Sequence, residues 1–164
     1  MLTCGALAGC SEDYPKDVVD NDLWAFVSEE NDPFRALRNP EAECNPLGVS
    51  VEAGVLEVQT DVCGFVTMTQ PAQYKAKQRH QLDILTYHSA LFSDPDSLGY
   101  MAVAIGEDIV WEQTVPIPGD ADVYSVTLES FPALSVGTPV YFHVHNHGAN
   151  SWKLAHIRLV APTP

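Results

Sequence analysis

Positive charge is scarce in this chain: eight Lys and Arg stand against 22 Asp and Glu, for a formal charge of −14. A nucleic-acid partner needs a basic footprint for its phosphates, so that class is excluded. Long apolar runs are missing too; none approaches the ~20 residues of a membrane span. Helical amphipathic periodicity, internal repeats and low-complexity stretches are absent. So are a Gly-x-Ser-x-Gly elbow, a His-Glu-x-x-His pair and a phosphate-binding loop, which leaves no motif of classical catalysis. Cysteine is limited to four residues in 164, a length that suits one domain with a sizeable core.

What is present is strand after strand. Alternating apolar and polar residues mark 23–27, 55–60, 64–69, 81–91, 109–115 and 123–128, while 100–105 is apolar on both faces and reads as central. Residues 28–48, with Asn-Asp-Pro and two Asn-Pro steps, read as loop with a short helix near 33–37. Two further strands, 140–145 and 152–159, close the chain. Eight or nine short strands at regular spacing predict an all-β fold, an antiparallel two-sheet β-sandwich of jelly-roll type.

The last two strands hold the residues of greatest chemical interest. Val140, Phe142 and Val144 alternate with Tyr141, His143 and His145; Asn146 to Asn150 supply turn chemistry; Trp152, Leu154 and His156 follow. Joined as a hairpin with an even loop, the strands would set His145 opposite Trp152 and Tyr141 opposite His156. Tyr141, His143, His145, Trp152 and His156 would then share one face. That face admits three uses. Rings flanking imidazoles suit a ligand platform, sugars above all, since sugars offer C–H surfaces to rings and hydroxyls to polar groups. His143 and His145, with Cα atoms roughly 6.6 Å apart on one strand face, could hold Zn or Cu, given a third ligand such as His147, His156, His88 or His80. Or the imidazoles could simply hydrogen-bond to loops crossing the sheet, the segment 28–48 among them.

Three resemblances bear on these uses. Gly137-(x5)-His143-x-His145 matches the opening of the cupin metal motif. The Glu that should follow is replaced around Ala149 and Asn150, and too little chain remains for the second motif, so cupin chemistry is rejected. The closing segment from Gly137 to Leu159 is similar to the last hairpin of galactose-binding-like and related carbohydrate-binding modules. That resemblance implies a non-catalytic sugar-binding domain. It departs where Ala155 or His156 stands in place of an Asp that is a frequent calcium ligand in those modules.

The third resemblance is at the N-terminus. Leu7-Ala8-Gly9-Cys10 resembles the lipobox of bacterial lipoproteins, which implies a residual signal over 1–9 and acylation of Cys10. The basic region of such signals is absent, as expected if the true start lies upstream. An acidic tether over 10–22 would then carry a single β-sandwich domain over 23–164. With Cys4 removed and Cys10 capped by lipid, Cys44 and Cys63 remain as a pair, best read as a disulfide in an exported protein. The expectation is a lipid-anchored, non-catalytic ligand-binding domain of the cell envelope, without a cofactor and touching the membrane only through its lipid. A periplasmic or surface metal-binding protein and a structural subunit of an envelope assembly are the alternatives.

Overall fold

The computed structural model describes residues 14–77, 79–146 and 148–161. Cys4, the Leu7–Cys10 segment and His147 lie outside them. Eleven strands run in chain order: β1 (Lys16–Asp17), β2 (Ala25–Phe26), β3 (Val49–Glu52), β4 (Val55–Gln59), β5 (Phe65–Pro71), β6 (Gln81–His88), β7 (Ser97–Ile105), β8 (Asp108–Ile117), β9 (Asp122–Leu128), β10 (Pro139–His145) and β11 (Ser151–Val160). They form two antiparallel sheets. The first has the order β3-β4-β11-β6-β9, with β1 also pairing β11; the second has the order β2-β5-β10-β7-β8. The architecture is the all-β jelly-roll sandwich that the strand spacing predicts. The strand expected over 23–27 is the two-residue β2, and the additional strands are β1, of two residues, and β3, a four-residue edge strand paired with β4.

Period-two burial builds the core. Leu82 and Ile84 from β6, Met101 and Val103 from β7, and Phe142 and Val144 from β10 meet between the sheets with Leu56, Val58 and Met68. Fully burying one such side chain is worth about 1.5–3 kcal/mol, so their alternation sets the register. Trp152 is wholly buried among them. Its ring lies so close to β7 that a Cβ at Gly99 would meet it at 2.5 Å. Only glycine fits opposite this indole.

The hairpin expected at the end of the chain does not form. β10 lies between β5 and β7 in one sheet, while β11 lies between β4 and β6 in the other. The connection between them therefore crosses the sandwich. Asn146 and Asn150 are engaged accordingly: the Asn146 amide donates to Thr60 Oγ1 at 2.6 Å, and Asn150 exchanges hydrogen bonds with the backbone of Phe92. Strict alternation along β11 fails as well. The register slips between Leu154 and His156, and the bulge turns Ile157 and Leu159 to the same inner face as Trp152 and Leu154. The side chain of Asn21 stabilises this bulge by donating to the carbonyls of Leu154 and Ala155.

Asn21 marks a second difference. The tether expected over 10–22 is part of the sandwich by Lys16: β1 pairs with β11, Val18 and Val19 are buried, and Val18 N–H donates to Ile157. Two valines in an otherwise acidic stretch are enough to dock it. Residues 28–48 are loop with single helical turns, one at Arg35–Leu37, near the expected short helix. Among the described residues, no helix is long and apolar enough to cross a membrane.

Candidate functional site

Side chains on the outer face of the second sheet stand in rows set by strand register. The first row is Phe65, His145 and Tyr100; the second is Thr67, His143 and Ala102; the third is Thr69, Tyr141 and Ala104. In the first row the rings stack in parallel. His145 lies 5.7 Å from Phe65 at 13° and 5.0 Å from Tyr100 at 22°. Tyr100 donates a short hydrogen bond to Glu112. Burial, then that bond and the carboxylate charge, push the phenol well above its ordinary range.

The second row is sealed. His143 is fully buried, its Nδ1 paired with Thr67 Oγ1 at 2.7 Å and its Nε2 with His145 Nδ1 at 2.8 Å. A neutral imidazole, with one N–H and one lone pair, satisfies both contacts. Burial, then the neighbouring His145 and more distantly Arg38, hold its pKa well below the usual 6.5. The cover is Phe34, stacked on the His143 ring at 4.4 Å and 12°. Ala102 and Ala104, small side chains in successive rows, leave the depression that Phe34 fills.

The covering segment is held at both ends. At its start β2 pairs with the edge of β5, and Val27 N–H donates to Thr67. At its end Cys44 and Cys63 form the expected disulfide, 19 residues apart, flanked by Asn45–Val62 and Gly64–Glu43 backbone bonds. Closing a loop of that length stabilises the fold by about 3 kcal/mol in the chain-entropy model.

Beyond the first row, where the cover lifts from the sheet, a cleft of about 920 Å³ opens. This is within the roughly 300–1,000 Å³ of small-molecule sites. Its walls are the segment from Leu37 to Asn45 and the turn from Thr60 to Gly64, with Phe65, Ser97, His145 and Asn146 at the base. Carboxylates (Glu41, Glu43, Asp61) and amides (Asn39, Asn45, Asn146) supply its polarity, and neither Lys nor Arg lines it. Asn146 is 4% exposed. Its Oδ1, like Ser97 Oγ, is buried with no hydrogen-bond partner among the described residues.

Of the five residues expected on one ligand face, three come together. Tyr141, His143 and His145 share the outer face of the second sheet, but His143 is covered and only His145 reaches the cleft. Trp152 is not on that face; it is a core residue of the first sheet, because β10 and β11 part company. His156 is also on the first sheet, bonded to Asp83 at 2.9 Å beside Arg158. The further imidazoles considered as metal ligands are elsewhere: His88 bonds Ser89 and Tyr124, and His80 bonds Tyr14. Among the described residues no group of three or more His, Cys, Asp or Glu is placed to hold a metal ion. The loop residues of the cleft escaped sequence reasoning. The one usable signal was a run of Asn and Glu around Cys44.

No family model matches the chain. No curated protein matches it in sequence. Solved structures do superpose. The family 11 carbohydrate-binding module from Clostridium thermocellum, in complex with a β-1,3-1,4-mixed-linked tetrasaccharide, aligns with a TM-score of 0.49 at 11% identity, over 92% of this chain and 98% of that one. TmCBM61, in complex with β-1,4-galactotriose, aligns at 0.47 and 9% identity, over 89% and 99%. PfGH50B aligns at 0.47 and 10% identity over 92% of this chain, which spans only 24% of that protein. The likeness is one of fold.

Proposed function

We propose that this domain is a non-catalytic binding module for a neutral, hydroxyl-rich ligand, carbohydrate first. The observation that carries the reading is an open cleft of about 920 Å³ whose lining brings together three carboxylates, Glu41, Glu43 and Asp61, and the amides of Asn39 and Asn45. A sugar hydroxyl donates and accepts at once and meets both kinds of group. The rim chemistry agrees. Carboxylates and amides take up hydroxyls, and three acidic side chains repel anions. Catalysis has no such support. The hydroxyl–imidazole pair Thr67–His143 is sealed under Phe34, out of a substrate's reach.

The same proposal places the protein in the cell envelope, anchored by lipid on Cys10. The Cys44–Cys63 disulfide favours an oxidising compartment. A glycan array followed by calorimetry tests the binding. One glycan class should bind, and Asp61→Ala or Glu41→Ala, both at exposed positions of the cleft, should weaken it at least about tenfold, or 1.4 kcal/mol, with the melting temperature largely kept. An array without signal, or variants that bind as the wild type does, would overturn the reading. Cys10→Ser material that stays as membrane-bound as the wild type would overturn the anchor.

A further inference from the structure

We infer that the cleft takes the end of a glycan chain rather than its middle, a deepening that rests on the carbohydrate reading above. A chain lying lengthwise on the second sheet would have to cross all three rows of its outer face. The second row is not available: Phe34 occupies the depression over Ala102 and Ala104 and stacks on His143. The cleft stops where that cover begins. Phe65 and His145 of the first row line it, whereas no residue of the second or third row does.

The opposite walls are equally fixed. Cys44 on the covering segment is bonded to Cys63 on the β4–β5 turn, and the flanking backbone bonds Asn45–Val62 and Gly64–Glu43 join the walls on either side. Ala42 lines the cleft and packs with the Phe34 cluster, so the inner end is closed by the cover itself. A ligand therefore meets a closed inner end. The carboxylates of Glu41, Glu43 and Asp61 and the amides of Asn39 and Asn45 line the cleft. Such groups suit the hydroxyls of a terminal residue, which are free, whereas those of an internal residue are partly consumed in linkages.

The test compares chain lengths. Calorimetry on the full chain would use linear gluco-, manno-, galacto- and xylo-oligosaccharides of both anomeric linkages, from disaccharide to hexasaccharide. End-on binding requires one protein per chain and an affinity that changes by less than about threefold along the bound series, or 0.65 kcal/mol. An affinity rising more than about tenfold from disaccharide to hexasaccharide, or several proteins on one hexasaccharide, overturns end-on capture and leaves the carbohydrate reading standing. Failure of every series to bind overturns the carbohydrate reading and this inference with it.

Discussion

On the outer face of the first sheet, His156 and Arg158 share the Asp83 carboxylate in partial contact with solvent, and Lys153 lies over the Tyr87 ring and beside Glu57. On the outer face of the second sheet, His143 is sealed between Thr67, His145 and the ring of Phe34. Both faces arise from the same alternation on central strands, and both carry imidazole. What separates them is a length of chain remote in sequence. Residues 28–44 cross one face and not the other. The difference teaches that an outward position in a sandwich is a place on the sheet and not an environment. Where nothing crosses, histidine bonds a carboxylate at the surface. Where a loop crosses, histidine is held neutral and becomes part of a second, smaller core with Phe34 and Phe65.

The sharpest way to break the contrast is to remove the cover. Phe34→Ala should cost about 3–4 kcal/mol in urea denaturation, the size of a buried Phe truncation. A loss under about 1 kcal/mol would mean that the ring is not what seals His143. Opening the disulfide should act on the same face a little more weakly. The Cys44→Ser, Cys63→Ser double variant should lose about 3 kcal/mol, a fall of roughly 6–12 °C in the melting temperature for a domain of this size. An unchanged melting temperature would show that the backbone bonds beside the bridge suffice.

Acid should distinguish the faces next. With the folded pKa of His143 depressed below 6.5, the unfolded chain binds more protons in the interval between the two values. Stability contributed by neutral His143 is present above pH 6.5 and is lost as pH falls through that interval, by at most about 1.4 kcal/mol per pH unit for one proton. His143→Gln should flatten the slope just below pH 6.5; a slope unchanged in the variant would assign it to another group. The smallest effect belongs to the open face. Asp83→Asn keeps an acceptor for His156 and Arg158 but leaves the guanidinium unpaired in charge and should cost no more than about 1 kcal/mol, diminishing with added salt. A loss of several kcal/mol there would make the two faces energetically alike.

Much of the fold was legible because alternation records burial directly. Leu82, Ile84, Phe142 and Val144 are inward in the structure as their spacing implies. The Cys44–Cys63 bridge followed from cysteine parity in an exported reading. The site was legible only in part. The one-strand pattern of Tyr141, His143 and His145 was correct as a shared face, whereas joining it to Trp152 and His156 assumed that neighbours in sequence are neighbours in the sheet. The bulge at Ala155 broke the count besides, since a single extra residue inverts every later side chain.

Local composition, then, determined which residues prefer the pleat, which face of each strand is apolar, and that acid dominates charge, because these depend on nearest neighbours and solvent alone. Only the tertiary structure decided that β10 and β11 lie in opposite sheets, that Val18 and Val19 dock the N-terminal segment, and that Phe34 covers His143 while His145 is left at the rim of a cleft. Those outcomes turn on which distant surfaces bury most together, and period two carries no information about the partner across a gap.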